Sequence, residues 1–298
     1  MTVINTNVAA TITANALTKN ERAMSQAMER LSTGQRINNA GDDAAGLAIS
    51  SRMTTYMNGL DMAVRNANDA ISLISTADGA LIEVTNMLQR MRELAIQAAS
   101  GTNGSTDRAA LDLEFEQLKS AIQDINDDTQ WNGTALLSGG TTFTFHVGAN
   151  ASQTVAVTLK DFDTDGSNAA SASVGVFENL DDTTTSDYED DDTNDLAGLD
   201  IGTNVTNANT ALTQISHALT RVDAHRAELG AVINRLEYTA DNLSNVSQNT
   251  SASRSRVLDA DYAAETTELA RTQIIQQAAT AMLSQANQQA QSVLALLK

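Results

Sequence analysis

Apolar residues in the C-terminal third of the chain recur every three or four positions. Nine of the eleven positions on this stripe are apolar, which is dense enough for one continuous heptad seam. The spacing predicts a long amphipathic helix within 201–250 that buries one face. The stripe consists of Leu212, Ile215, Leu219, Val222, Arg226, Leu229, Ile233, Leu236, Ala240, Leu243 and Ser247.

The N-terminal half shows the same periodicity. It predicts a helix of roughly 44–99, which the Gly-containing stretch 101–104 ends, followed by a third helix. Three such stripes can close the core of a helical bundle. The first stripe consists of Ile74, Ala77, Leu81, Val84, Leu88, Met91 and Ala95, and the other of Leu111, Phe115, Leu118, Ile122 and Ile125.

The pattern changes after Trp131. Turn-forming pairs at 132–133 and 139–140 precede two β-branched and aromatic runs, 142–147 and 154–159, which predict a small β-hairpin. Residues 160–200 are rich in Asp, Thr, Ser, Asn and Gly. They predict a short acidic insertion that faces solvent and is at best partly ordered.

The two ends of the chain, 1–32 and 264–298, each predict a short amphipathic helix. Such helices are marginal in water and need a partner, which could be each other, further copies of the chain or another protein. Ends of this kind can stay disordered in a monomer and fold on assembly. We therefore expect the polymerisation contacts to include Ile4, Val8, Ile12, Met28, Leu31, Ile275, Met282, Val293 and Leu296, with Met24, Ala279 and Ala286 on the same stripes.

Composition narrows the class of protein. The chain of 298 residues has no Pro, no Cys and only 3% aromatic residues, which suits long helices packed through small side chains. Its net charge is −19, with 13 acids and one base in 141–200, so a nucleic-acid partner is not expected. No apolar run is long enough for membrane insertion, and the first residues lack the features of a cleavable signal peptide.

Two blocks of sequence closely resemble the terminal regions of bacterial flagellins. The first is residues 31–50, LSTGQRINNAGDDAAGLAIS. The second comprises SRSR at 253–256, DADY at 259–262, QIIQQA at 273–278 and the closing run VLALL at 293–297. The hairpin run VGAN at 147–150 also looks like the family's. Gly41 and Gln289-Ala290 depart from many relatives, which have Lys and a nearby Pro there.

The resemblance implies a mostly α-helical fold. Long coiled-coil-like helices would form a hairpin-shaped rod with paired terminal helices, a small β-hairpin region and a short acidic insertion. The inner terminal-helix domain would comprise 1–32 and 264–298, joined through connectors 33–43 and 251–263. The bundle domain would comprise 44–159 and 201–250, with the variable surface insertion at 160–200.

The same resemblance implies a structural subunit that polymerises into the flagellar filament for swimming motility. Relatives leave the cell unfolded through the flagellar type III pathway, so a secreted, flagellar location is expected. An export chaperone would bind the C-terminal helix, and filament cap and junction proteins would be further partners. The alternative is a hook–filament junction protein with similar terminal domains. We expect no enzymatic activity and no cofactor.

Two further candidate sites lie outside the terminal helices. By resemblance to the segment that the vertebrate Toll-like receptor for flagellin recognises, Gln89, Arg90, Leu94 and Glu114 are candidate receptor contacts, although packing between subunits explains the same residues. Asp161, Asp163 and Asp165 match the first half of a calcium loop, but position twelve is Ala172 instead of Glu, which favours an acidic turn. The chain has no His-Glu-x-x-His run and no context for a catalytic triad.

Overall fold

The computed structural model describes residues 7–138, 140–164, 176–177 and 196–295. Five α-helices lie within these residues, α1 Val8–Thr33, α2 Ala44–Ala98, α3 Ser105–Asp128, α4 Val205–Leu258 and α5 Tyr262–Ala295. Two small antiparallel pairs of strands lie between α3 and α4: β1 Gln130–Trp131 with β2 Thr134–Ala135, and β3 Thr142–His146 with β4 Thr154–Thr158. The predicted mostly α-helical class with a small β region is confirmed.

The chain divides into two compact units. The first comprises Met1–Met57 and Ser247–Lys298, and the second comprises Asn58–Val246. We refer to them as the terminal unit and the bundle unit. The non-helical stretch between α4 and α5 comprises residues 259–261 and is shorter than the predicted connector 251–263. The reason is that α4 continues without a breaking residue to Leu258, and α5 begins at Tyr262.

The bundle unit holds one continuous hydrophobic core. All seven residues of the predicted α2 stripe are buried, and α3 contributes Phe115 and Ile122. Helix α4 contributes Ile215, Val222, Leu229 and Leu236 from its predicted heptad seam. The charged seam residue Arg226 donates from Nε to Asp78 Oδ1 at 2.8 Å, so its head group has a partner on α2. Heptad spacing therefore located this core correctly.

Both strand pairs follow from local sequence. Asn132 and Gly133 have φ values of 50° and 78°, the left-handed pair that a two-residue hairpin between β1 and β2 requires. In the second hairpin, Phe143 pairs with Val157 and Phe145 with Val155. The inward side chains Val155 and Val157 are buried against the core, while the Thr side chains of both strands face out.

The prediction that 160–200 faces solvent is wrong for its described residues. Phe162 and Phe177 are fully buried, and their rings pack edge to face with 5.7 Å between the ring centroids. Val176, Leu196 and Leu199 are buried with them, and Arg221 Nη1 donates to the carbonyl of Val176 at 3.2 Å. Apolar side chains spaced through the acidic stretch supply enough buried area to hold these points in the core. Residues 165–175 and 178–195 lie outside the described residues.

Candidate self-assembly site

Helices α1 and α5 of the terminal unit run antiparallel and pack against each other. Two hydrogen bonds fix their register. Asn20 Nδ2 donates to the carbonyl of Thr272 at 2.7 Å, and Asn7 Nδ2 donates to the carbonyl of Ala286 at 3.2 Å. From the Asn7–Ala286 contact to the Asn20–Thr272 contact the residue number rises along α1 and falls along α5, so the two helices run in opposite directions. The predicted pairing of the terminal helices is confirmed.

The seam between the two helices is built from Leu and Met side chains interspersed with small and polar ones. On α1 the buried and half-buried positions alternate by three and four residues, as do those on α5. They are Ala10, Thr13, Leu17, Asn20, Met24, Ala27 and Leu31 on α1, and Glu265, Leu269, Thr272, Gln276, Ala279, Leu283 and Ala286 on α5. Arg30 Nη1 and Glu265 Oε1 add an ion pair of 3.0 Å at one end of this seam.

Five further large apolar side chains of the two helices lie outside this seam. Val8, Ile12 and Met28 on α1 are 52%, 65% and 55% exposed, and Ile275 and Met282 on α5 are 40% and 63% exposed. Leu31 alone among the described polymerisation candidates is half-buried in the pair. The Ile4, Val293 and Leu296 side chains lie outside the described part of the chain. Gln276 and Leu283 occupy the levels of the pair next to Ile275 and Met282, so the helix pair leaves these two predicted polymerisation contacts uncovered.

The terminal unit has very little core of its own. Within its described residues the fully buried apolar side chains are Ala27 and Ile37. Nine large apolar side chains are exposed instead, which is typical of a surface that another molecule covers. They are Val8, Ile12, Met28, Ile49, Tyr56, Tyr262, Ile274, Ile275 and Met282.

The two stretches that join the helices of the terminal unit pair with each other. Helix α1 ends at Gly34, whose φ of 70° forms a left-handed cap while its N–H donates to the carbonyl of Arg30. Gln35 and Asp259 then form an isolated antiparallel bridge, with Arg36 N donating to Leu258 O at 2.7 Å and Ala260 N donating to Gly34 O at 3.0 Å. These bonds place the family-like blocks 31–50 and 253–262 side by side.

The turn before α2 explains several residues of the block 31–50. Asp42 accepts hydrogen bonds from the backbone N–H groups of Asn39 and Asn38 and from the Gln26 side chain, which together lower the pKa of its carboxyl group. Asp43 caps α2 by accepting from Gly46 N at 2.9 Å. A Cβ on Gly46 would lie 2.6 Å from the Cδ1 of buried Ile37, so only glycine fits without a shift.

The candidate receptor residues do not all share the surface. Gln89, Arg90 and Glu114 are exposed, and Arg90 bonds Glu114 at 2.9 Å through Nε and Glu93 at 3.0 Å through Nη1. The bond to Glu114 is the main cause that raises the pKa of Arg90. Leu94 is 1% exposed and packs in the bundle core, so its prediction as a direct receptor contact is wrong for the folded subunit.

The calcium-loop candidates lie in a buried turn. Asp161 and Asp163 are each 2% exposed, and Asp161 Oδ1 accepts from Asp163 N at 3.1 Å; Asp165 lies outside the described residues. Side chains of α3 accept hydrogen bonds from the neighbouring backbone N–H groups: Phe162 N donates to Asn126 Oδ1, and Thr164 N donates to Gln123 Oε1. Across the described residues, no three His, Cys, Asp or Glu side chains form a group that could hold a metal ion.

No helix in the described part of the chain is both long and apolar enough to cross a lipid bilayer.

Comparison with known proteins identifies the terminal regions. The family model of the bacterial flagellin N-terminal helical region matches residues 4–142, and that of the C-terminal helical region matches residues 212–297. A flagellin of Halalkalibacterium halodurans is 46% identical over 274 residues, which cover 92% of this chain and 91% of the relative. A flagellin of Bacillus subtilis is 41% identical and the match covers 99% of both chains.

A solved structure described as a putative flagellar hook-associated protein from Vibrio parahaemolyticus has a TM-score of 0.56 over 73% of this chain and 100% of that chain. At 12% identity this likeness concerns the fold alone. The two relatives are far more similar in sequence, at 46% and 41% identity, and the family models match residues of both the terminal and the bundle units. The chain therefore belongs to the bacterial flagellin family and is a structural subunit of the flagellar filament, located in the bacterial flagellum.

Proposed function

We propose that the paired terminal helices are the self-assembly site, and that neighbouring subunits complete their folding. Among the described residues of the terminal unit, nine large apolar side chains are exposed and only Ala27 and Ile37 are fully buried apolar ones, and this contrast carries the proposal. If assembly covers those nine side chains, burial contributes on the order of 10 kcal/mol. Ordering a segment on binding costs roughly 2–5 kcal/mol, so the balance favours the polymer.

The polymer grows without closing because each subunit offers two different surfaces. A head-to-tail contact that does not close on itself generates a helical tube. In this arrangement residues 1–32 and 264–298 form the inner layer. The segments 33–43 and 251–263, of which 251–258 continue α4, connect it to the bundle domain of 44–159 and 201–250. The insertion then begins after the buried Thr164 and ends before Leu196, with the buried Val176 and Phe177 between these limits, which narrows the sequence-derived range of 160–200.

We further propose that the chain leaves the cell unfolded through the flagellar type III pathway. The terminal unit is suited to this because few buried apolar contacts need to be broken before passage. An export chaperone would bind α5, where Ile274, Ile275 and Met282 offer an apolar surface before assembly. Filament cap and junction proteins would contact the same helices at the two ends of the filament.

The protein acts by assembly, without enzymatic activity or a cofactor. The polar groups of the terminal seam are engaged in fixing register, as the Asn20–Thr272 and Arg30–Glu265 contacts illustrate. The alternative of a hook–filament junction protein rests on a likeness at 12% identity, whereas the flagellins are 41% and 46% identical. The filament subunit is therefore the favoured function.

Recognition by the vertebrate Toll-like receptor is proposed for the free subunit only. Gln89, Arg90 and Glu114 form an exposed polar group. The carboxylates of Glu114 and Glu93 both accept hydrogen bonds from the Arg90 guanidinium and orient it. Arginine held in this way is a frequent anchor of protein interfaces. In the filament the same surface would pack against neighbouring subunits.

A seeded polymerisation assay tests the main proposal. Purified subunit is mixed with sheared filament fragments, centrifuged to pellet polymers and imaged by negative-stain electron microscopy. Variants lacking 1–32 or 264–298 should stay in the supernatant, while wild type forms long tubes. The matched control is a deletion of 181–192, since removing 165–195 would also remove the buried Val176 and Phe177. Tubes from either terminal deletion, or short caps from wild type, would contradict the filament-subunit function.

A further inference from the structure

The methionines of the chain differ sharply in their exposure to solvent. Met91 is fully buried in the bundle core, whereas Met24, Met53, Met57 and Met87 are half-buried. Among the methionines that the structure describes, three are exposed: Met28 at 55%, Met62 at 48% and Met282 at 63%. Because the chain contains no Cys, no thiol competes with these thioethers for an oxidant.

Two of the three exposed methionines belong to the self-assembly site. Met28 lies on α1 beside the seam residue Ala27, and Met282 lies on α5 beside the seam residue Leu283. Both are among the nine large apolar side chains that the terminal unit leaves uncovered. Met62 lies on α2 in the bundle unit and provides a natural comparison within the same chain.

We infer that Met28 and Met282 are oxidation sites through which peroxide prevents free subunits from assembling. This inference rests on the proposed function of the terminal helices. In the reaction, hydrogen peroxide transfers one oxygen atom to the thioether sulfur, the O–O bond breaks and water leaves. The sulfur is oxidised by two electrons to the sulfoxide, and the peroxide is reduced.

Oxidation changes the chemistry of the contact without removing the side chain. A thioether is apolar and adapts to irregular surfaces, whereas the sulfoxide is polar and needs hydrogen-bond partners when buried. Two sulfoxides on the assembly surface therefore raise the critical concentration for polymerisation by about tenfold or more. The reaction is reversible, since methionine sulfoxide reductases return the thioether while two thiols are oxidised to a disulfide.

Assembly itself protects these sites. Once neighbouring subunits cover Met28 and Met282, peroxide reaches the sulfur atoms only after a local opening. The two thioethers are thus sensitive before incorporation into the filament and resistant afterwards. Free subunits damaged by oxidant are excluded, while existing filaments persist.

The test compares wild type with the double variant Met28→Leu/Met282→Leu and with the control Met62→Leu. Leucine conserves volume and apolar character, and the assembly of each untreated variant is measured first as that variant's own reference. Each protein is treated with hydrogen peroxide, the oxidant is removed, and sulfoxide is mapped by peptide mass spectrometry before seeded polymerisation. We expect wild type and Met62→Leu to lose assembly and the double variant to keep it. Treatment with reductases should restore assembly of oxidised wild type.

Two results would overturn the inference: normal assembly of wild type carrying sulfoxide at both positions, or equal loss of assembly by the double variant. A failure of untreated wild type to assemble would instead contradict the proposed function itself. Preformed filaments treated in parallel should show several-fold slower oxidation at Met28 and Met282 than free subunits. Equal rates in the two states would also overturn the inference.

Discussion

Asn20 donates its side-chain amide to the backbone carbonyl of Thr272 at 2.7 Å, across a distance of 252 residues in sequence. Both residues are buried in the seam of the terminal helix pair. A polar residue at a seam position costs stability but selects one register, because a shifted pairing would leave its amide buried without a partner. Asn20 therefore makes the pairing of α1 and α5 specific at the expense of its strength.

Replacing Asn20 by Leu should strengthen the pair and loosen its specificity. We expect Asn20→Leu to stabilise the terminal helices by about 1–2 kcal/mol and to promote self-association of the free subunit in several registers. Far-ultraviolet circular dichroism and size-exclusion chromatography with light scattering measure the two effects. Thr18→Leu, which adds a similar apolar side chain at an exposed position of α1, is the control. An unchanged oligomer distribution for Asn20→Leu would refute the register role.

Two glycines near the start of α2 should respond differently to an added methyl group: Gly41, in the turn before the helix, should tolerate it, and Gly46, in the first turn of the helix, should not. A Cβ at Gly46 would lie 2.6 Å from both Ile37 Cδ1 and Asp43 Oδ2, whereas a Cβ at Gly41 would have no atom within 4 Å. We expect Gly46→Ala to lower the free energy of unfolding by about 1–3 kcal/mol through overpacking, and Gly41→Ala to be nearly neutral. Thermal unfolding of the two variants decides the matter. Equal melting temperatures would show that the turn relaxes freely.

His225 should make the bundle unit sensitive to mild acid. Its side chain is 1% exposed beside the Phe162 ring, and burial is the main cause that lowers its pKa below the ordinary 6.5. The Glu228 carboxylate at 3.3 Å from Nδ1 opposes this shift and the Lys160 ammonium adds to it. Below pH 6.5 the unfolded chain therefore binds more protons at this residue than the folded chain does.

It follows that His225 contributes full stability above its unfolded pKa of 6.5, and that this contribution falls as the pH drops toward the lower folded pKa. Urea unfolding at a series of pH values measures the slope. We expect His225→Leu to flatten the slope just below pH 6.5, and the exposed-site variant His146→Gln is measured in the same series for comparison. A slope in His225→Leu equal to that of wild type would assign the sensitivity to other groups.

Heptad spacing was sufficient to predict the bundle unit because its core is built along long helices. Once the helical period is recognised, Leu81 and Ile215 can only point to the same side as their stripe neighbours. The hairpin 142–158 followed equally from alternating β-branched residues. In both cases one local period specifies which face of the element is buried.

The terminal seam could not be predicted in the same way, because an apolar stripe on a terminal helix does not show whether the other terminal helix or a neighbouring subunit covers it. The helices instead pair through Ala27, Asn20 and Thr272, and they leave Ile12 and Met282 outside. Such a division has a physical reason in a subunit that needs two contacts, one within the chain and one with its neighbours. Burial of Phe162 and Phe177 was missed for a related reason, since acidic composition concealed isolated apolar anchors.

Family resemblance suggests Gln89, Arg90, Leu94 and Glu114 as receptor contacts without indicating which way each side chain faces. The Arg90 guanidinium is half-exposed and bonded to Glu114 and Glu93, so its removal leaves the bundle core intact. We expect Arg90→Ala to fold normally and to reduce Toll-like receptor signalling at least about tenfold, the loss typical of an interface anchor. A reporter-cell assay on monomeric protein measures the signal, and thermal unfolding of the same samples measures stability.

Leu94 separates a contact effect from a folding effect. Because its side chain is buried in the core, Leu94→Ala should destabilise the bundle unit by about 2–5 kcal/mol, and any loss of signalling should follow the unfolded fraction. Arg92→Ala is the matched control for charge, since Arg92 is also exposed. Arg92 lies two residues from Arg90 on the same helix and therefore on a different face. Signalling by Arg90→Ala at the wild-type level, or an equal loss in Arg92→Ala, would show that the oriented guanidinium is not the receptor contact.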